Sequence, residues 1–159
     1  RQGNAVDAEV AYRKAVEKNG RNSQANYNLG NALMMQRKDS LALQQLETGA
    51  KLETNPMRRT QAYHNMGVIC QQHQMFGEAI EAYKEALRNN PTDDQTRYNL
   101  ELCKRQQQQQ QQNQQNQQNK DQKDQKDKQD QKEKQDQKDQ KDKQNQQDQQ
   151  EQQPKLLAA

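Results

Sequence analysis

An internal repeat constrains this chain more than any other feature. Asn28-Leu29-Gly30, Asn65-Met66-Gly67 and Asn99-Leu100-Glu101 are versions of one block, preceded by Tyr27, by Tyr63-His64 and by Tyr98. The slot held by Gly30, Gly67 and Glu101 recurs after 37 and then 34 residues. A second block reads Ala8-x3-Tyr12-x2-Ala15-Val16, then Ala42-x3-Leu46-x2-Gly49-Ala50, then Ala79-x3-Tyr83-x2-Ala86-Leu87, at separations of 34 and 37. Both series therefore share a 34-residue period, and three extra residues fall between Ala42 and Asn65. Asn55-Pro56-Met57-Arg58-Arg59 is the polar, Pro-bearing place for them, which predicts a longer link there. A period of this length marks a supersecondary unit that cannot bury its apolar face alone and must stack on its neighbours.

Inside each block the apolar residues follow helical spacing, as in Ala8, Ala11, Tyr12 and Ala15, or Ala79, Ala82, Tyr83 and Ala86. Small residues stand where two helices must approach closely: Gly30 and Gly67 on a leading helix, Ala8, Ala42 and Ala79 on a trailing one. Asn19-Gly20 and Asn90-Pro91 supply helix stops. Antiparallel helix pairs are expected over residues 5 to 105.

A helix pair at this period, with Tyr-x2-hydrophobe-Gly, Ala-x3-aromatic and a closing Pro, resembles the tetratricopeptide repeat. Residues 61 to 94 fit almost throughout, with Tyr63, Met66, Gly67, Ala79, Tyr83, Ala86 and Pro91 in place. Residues 24 to 54 fit less closely, having Asn26 at an aromatic slot, Leu46 at the second aromatic and Gly49 for Ala. The predicted organisation is the trailing helix of a truncated first repeat at 1 to 23, repeats at 24 to 57 and 58 to 93, and a polar capping helix at 94 to 105. Glu101 at the small slot and Lys104 at an apolar one give that last helix its capping character. A trailing helix without its partner leaves an apolar stripe uncovered, so the sequence reads as a piece of a longer array.

Beyond the repeats the composition changes abruptly. Residues 106 to 153 comprise 25 Gln, 4 Asn, 9 Lys and 10 Asp or Glu, with no apolar side chain, so they cannot build a core. The expected fold class is therefore all-α: a short tetratricopeptide helix-pair solenoid followed by a disordered Gln/Lys/Asp-rich tail. The i,i+4 pairs Asp124 with Lys128, Asp130 with Lys134 and Asp139 with Lys143 favour a frayed helix instead, although Asp is a poor helix former. Pro154 to Ala159 shifts composition again and reads as a scar or a truncated segment.

Charge and motif content narrow the function classes. The formal net charge of +3 is spread over mixed-sign surfaces, whereas sequence-independent nucleic-acid binding needs a concentrated cationic stripe, so no nucleic-acid partner is expected. Nor is direct membrane insertion, because no apolar run has spanning length. There is no Gly-x-Ser-x-Gly, P-loop or Ser-His-Asp pattern, and no enzymatic role, cofactor or catalytic residue is expected. Cys70 and His73 lie three apart on a helix and His64 is within two turns of Cys70, but they lack a CxxC pair or an acidic partner at ligand spacing. Cys70 also matches a buried slot of the repeat, and both Cys70 and Cys103 fall within helical apolar patterns, where a free Cys behaves as a small hydrophobe, so no metal site is expected.

The binding residues expected on the leading helices are Tyr27, Asn28, Asn31, Met34, Met35, His64, Asn65, Tyr98 and Asn99. Asn28, Asn65 and Asn99 recur beside the residue that enters the core, and stacking should set them in a concave amide ladder. A carboxamide both donates and accepts, so it pairs with a peptide unit whatever the ligand's side chains. Tyr27, His64 and Tyr98 would flank the strip, while Met34 and Met35 would add an adaptable apolar edge. A two-carboxylate clamp is not expected. Asn31 and Asn65 fit its amide slots, but Tyr27, Gln95 and Asn99 stand where its cations belong.

Taken together, Ala8-x3-Tyr12-Arg13-Lys14-Ala15, Tyr27-Asn28-Leu29-Gly30-Asn31-Ala32, Ala62-Tyr63-His64-Asn65-Met66-Gly67, Glu81-Ala82-Tyr83-Lys84-Glu85-Ala86-Leu87 and Thr96-Arg97-Tyr98-Asn99-Leu100 before a polar tail resemble one bacterial group. It is the BatC-type tetratricopeptide proteins of the Bacteroides aerotolerance operon. That resemblance implies a cell-envelope or periplasmic protein, with a cytoplasmic location as the alternative, acting beside membrane-anchored von Willebrand A-domain proteins. The expected function is a non-catalytic protein-protein interaction scaffold holding a protein or extended peptide segment in its groove. The alternative is an envelope spacer or tether in which the polar tail carries the role.

Overall fold

The computed structural model of the chain describes residues 2–158, with side chains described for residues 3–152. Six helices make it up: α1 (Gln2–Lys18), α2 (Ser23–Met35), α3 (Asp39–Leu52), α4 (Pro56–Gln72), α5 (Phe76–Asn89) and α6 (Asp94–Ala158). They fall into two compact units, Arg1–Gln110 and Gln111–Ala159.

In the first unit α2 pairs with α3 and α4 with α5, while α1 packs on α2. The links between pairs end in a side-chain cap. Asn22 Oδ1 accepts from the Ala25 N–H at 3.1 Å, Asn55 Oδ1 from Met57 and Arg58, and Asp93 Oδ1 from Thr96 at 3.1 Å. Links within pairs are tighter. Arg37 and Gln74 both take φ 59°, and the Lys38 and Met75 N–H groups reach back to Leu33 O (3.0 Å) and Cys70 O (2.9 Å). These are left-handed helix caps, a conformation that favours glycine. The two strained residues stand 37 apart, so they mark the repeat as faithfully as the apolar pattern does.

Glycine closes each pair. A Cβ on Gly30 would lie 2.7 Å from Leu46 Cγ, and one on Gly67 would lie 2.4 Å from Tyr83 Cε1. Around these approaches the core forms two clusters: Leu29, Leu33, Ala42, Leu46 and Ile69, and then Cys70, Phe76, Ala79, Ile80, Tyr83, Leu100 and Cys103. Leu43 packs against both, and Tyr12 and Val16 bring α1 onto the first. Each fully buried Leu or Ile contributes about 1.5–3 kcal/mol. Polar clasps reinforce the joins. Glu9 on α1 accepts from Arg13, from Gln36 Nε2 (2.9 Å) and from Lys38 (3.1 Å). Hydrogen bonds from Arg13, Lys38 and Gln36 hold its carboxyl at about 2. Glu53 accepts from Ser23 Oγ (2.8 Å), the Asn55 N–H (3.1 Å) and Arg58 (3.3 Å), linking α2, the end of α3 and the start of α4.

Two expectations need correction. The insertion at Asn55 to Arg59 is not a longer link: Asn55 is the N-cap, and Pro56 to Arg59 add a turn to α4, which has 17 residues against 13 in α2. Proline suits the first helical turn because its missing N–H has no partner to lose there. Thr60 Oγ1, 3.0 Å from both Pro56 O and Ala86 O, anchors the added turn to α5.

The second correction concerns the tail. Residues 106 to 153 are helical rather than disordered, and α6 does not stop at residue 105. No Gly or Pro interrupts residues 94 to 153, and Gln, Lys and Glu are good helix formers. The i,i+4 contacts that form are Gln117 to Asp121 (3.0 Å), Gln135 to Asp139 (3.1 Å) and Gln144 to Asp148 (3.2 Å). Among the described residues, the pairs Asp124–Lys128, Asp130–Lys134 and Asp139–Lys143 do not close as salt bridges.

Every side chain from 111 to 152 is exposed. Acidic residues recur at every third position from Asp121 to Asp142, so on a 3.6-residue helix the acidic stripe drifts by about 60° per step. No constant face arises that a partner helix could pack against. Pro154 to Ala159, read as a scar or truncated segment, lies outside the described side chains.

Three outcomes are expected in equilibrium unfolding. Gly67→Ala drives a methyl into the fully buried Tyr83 ring and costs about 1–3 kcal/mol, more than its gain in helix propensity. Gln74→Gly relieves the left-handed cap and stabilises by about 1 kcal/mol. Truncation after Gln110 leaves the unfolding free energy of the first unit within about 0.5 kcal/mol of the full chain's, because the removed side chains are exposed.

Candidate partner-binding face

The leading helices α2, α4 and α6 carry all nine residues expected to bind. The structure joins three of them directly. Asn65 Nδ2 donates to Asn31 Oδ1 at 2.9 Å and to Tyr27 Oη at 3.4 Å, so a turn of α2 and a turn of α4 share one neutral polar cluster. These are the positions where a carboxylate clamp would set its first cation and its two amides. Here the amides close on one another and on a phenol. Asn65 Oδ1 takes no hydrogen bond among the described residues and stays available as an acceptor.

The ladder as expected, with Asn28, Asn65 and Asn99 equivalent, is not what the side chains form. Asn28 Oδ1 faces Gln24 Nε2 on its own helix at 3.4 Å, and Asn31, one turn further along, is the group that reaches Asn65. Asn99 sits beside the Tyr83 hydroxyl, which burial pushes well above its usual range, with Cys103 adding to the rise and Asn99 opposing it. Met34 is half-buried against the first core cluster, whereas Met35 is 58% exposed. Tyr98 is 69% exposed, unlike the half-buried Tyr27 and His64.

His64 heads a hydrogen-bonded chain. Its Nδ1 lies 2.7 Å from Thr96 Oγ1, and Thr96 Oγ1 donates its single proton to Asp93 Oδ2 at 2.7 Å. Nδ1 must therefore be the donor toward Thr96, which leaves Nε2 as the nitrogen that titrates. Burial lowers the pKa of His64, with Asp93 pulling the other way, and the ring leans on Tyr83 at 5.8 Å and 53°. Burial raises Asp93, but hydrogen bonds from Thr96, the charge of His64 and the Gln95 N–H outweigh it and leave the carboxyl lowered.

A third link lies further along the same helices. Tyr83 Oη donates to Gln71 Oε1 at 2.6 Å, and Gln71 Nε2 donates to Gln106 Oε1 at 2.7 Å. Reading the sequence missed Gln71, Gln106, Thr96 and Asp93. Gln71 and Gln106 stand 35 apart, close to the repeat period, and Asp93-x2-Thr96 is a cap pattern; both signals were present.

Cys70, His73 and His64 are committed to different neighbours. Cys70 is in the core with its thiol pushed up by burial and by Glu78, His73 Nε2 meets Asp39 Oδ2 at 2.6 Å, and His64 meets Thr96. Among the described residues no three His, Cys, Asp or Glu side chains are placed to hold a metal ion, and no helix is long and apolar enough to cross a membrane.

The His64 geometry makes stability depend on pH. The folded pKa lies below the ordinary 6.5, so as pH falls through that value the unfolded chain takes up its proton first and gains on the folded one. Stability at pH 5.5 is accordingly lower than at pH 7.5, and His64→Gln flattens this part of the profile, as urea unfolding across the range would record. Asn65→Ala lowers stability by about 1 kcal/mol, because it leaves Asn31 and Tyr27 without their donor.

A model of the tetratricopeptide repeat matches residues 60–93. No curated protein sequence matches the chain. Among solved structures, one crystal structure of MamA protein aligns with a TM-score of 0.60 at 24% identity, covering 64% of this chain and 54% of that one. A second crystal structure of MamA aligns at 0.58 and 24%, covering 62% and 56%. The chain thus spans little more than half the length of those proteins, and the likeness is one of fold. The repeat match at residues 60–93, the glycine-closed helix pairs and the shared architecture give the first unit the fold of a short tetratricopeptide-type helix-pair solenoid.

Proposed function

We propose that the chain is a non-catalytic protein-protein interaction scaffold that holds an extended segment of a partner protein along its leading-helix face. The observation that carries this reading is the Asn65–Asn31–Tyr27 cluster, a neutral set of donors and acceptors bridging facing leading helices at the repeat spacing. Such groups match a peptide backbone better than an acidic tail, whose carboxylates would find no counter-charge at Tyr27, Gln95 or Asn99. Exposed Met35 and Tyr98 supply apolar contact at either end of the face.

The motif strings that resemble the BatC-type proteins support a narrower form of the proposal. In it the scaffold belongs to a cell-envelope assembly linked to aerotolerance, and its partners are membrane-anchored von Willebrand A-domain proteins. One observation favours a second reading, in which the tail acts as a spacer. Gln111 to Ala158 is helical, which at 1.5 Å per residue makes a polar rod of about 70 Å.

Photo-crosslinking separates the two. A photoreactive residue at Asn28 is expected to capture a polypeptide partner in cells, and capture persists when residues 111 to 159 are deleted. Asn28→Ala, whose only side-chain partner is Gln24 on the same helix, weakens that complex by about 1 kcal/mol without moving the unfolding midpoint. Absence of capture at Asn28, together with loss of the complex on deleting the tail, would transfer the role to the spacer.

A further inference from the structure

Apart from the leading-helix face, α4 and α5 border an open cavity of about 450 Å3. Half-buried Tyr63 and Met66 of α4 and Ala82 of α5 form its apolar floor, with the Arg59 guanidinium 6.0 Å from the centre of the Tyr63 ring, and Gly77, Glu78, Glu81 and Glu85 stand at its rim. The three carboxylates lie along one edge of α5 at i, i+3 and i+7, which spreads them over about 10 Å. Glu81 and Glu85 are paired only with Lys84 and Arg88, three residues on along the same helix and largely exposed, and such pairs are weak. Glu78 forms no salt bridge among the described residues.

The repeat does not impose this site. At the matching places of the preceding pair, Asn26 and Leu29 are buried, and Ser40, Leu41, Gln44, Gln45 and Thr48 include no carboxylate. The α2–α3 pair therefore repeats neither the open apolar floor nor its acidic rim.

We propose that this cavity is a second docking surface, which takes a cationic amphipathic segment of a partner protein. An apolar side chain enters the floor, and two Lys or Arg residues about 10 Å apart reach the rim. That separation corresponds to i,i+7 on a helix or i,i+3 on a polyproline II segment, spacings that keep both residues on one face. The low-complexity tail of another copy does not qualify, since residues 106 to 153 offer Lys but no apolar side chain. Nucleic acid and anionic lipid are disfavoured by the sign of the rim.

The test uses the full chain and a displayed library of random peptides, selected on the natural protein and counter-selected on Glu78→Gln/Glu81→Gln/Glu85→Gln. All three changes lie at the surface, and circular dichroism checks that the variant remains folded. Enriched peptides are expected to carry two basic residues three or seven apart around an apolar one. They should lose at least tenfold in affinity on the triple variant and weaken with salt. Ala82→Arg, which fills the floor, should abolish binding, while Asn28→Ala on the leading-helix face should leave it unchanged. Neutral or acidic enriched peptides, equal affinity for the triple variant, or loss of binding in Asn28→Ala would overturn the proposal.

Discussion

The contact on which the rest of this structure depends is the approach of a leading helix to its trailing partner at glycine. Gly67 lets the Tyr83 ring lie where any side chain would collide, and Gly30 does the same for Leu46. Once Tyr83 is seated, its hydroxyl is carried to Gln71, and Gln71 in turn reaches Gln106 on the next leading helix. A packing requirement inside one pair thereby fixes a hydrogen bond between two pairs. The same ring supports His64, whose link through Thr96 ends on the cap of α6. Core packing and the polar chemistry of the leading-helix face are therefore not separable in this protein.

Much of the polarity of that face is satisfied within the protein itself. Asn31 with Asn65, His64 with Thr96, and Gln71 with Gln106 each join consecutive leading helices. Such links favour one curvature, because hydrogen bonds made across helices are lost if the pairs rotate apart. They also leave the face neutral, which suits recognition of a peptide backbone rather than of a charged terminus. Charge appears instead on α5, where the acidic rim surrounds apolar floor residues.

The second unit follows different physics. Helix formation in Gln111–Ala158 needs only local bonds and favourable propensities, both of which a Gln- and Lys-rich sequence supplies. Tertiary packing needs an apolar face, and residues 106 to 153 have none. The result is a helix whose described side chains are all exposed, which suits spacing better than gripping.

Helix pairing, its 34-residue period, the close-approach glycines and the buried Cys70 and Cys103 were legible in the sequence, because periodicity and residue size report packing directly. The tail's lack of a core speaks to tertiary packing and not to local helicity, which is why its composition points to disorder while the chain is helical there. Pro56 after Asn55 fits a link and a helix start equally well, and only packing of Thr60 against the end of α5 decides between the two.

For the site, the residue types on the leading helices are readable from the chain alone. Tertiary structure decided which of them meet. Asn31 rather than Asn28 faces Asn65, and Gln71 finds Gln106, because side-chain contact between stacked helices depends on their crossing and offset to within a few ångströms. A repeat period measured along the chain gives the order of the helices, while the distances between their side chains exist only once the pairs have packed.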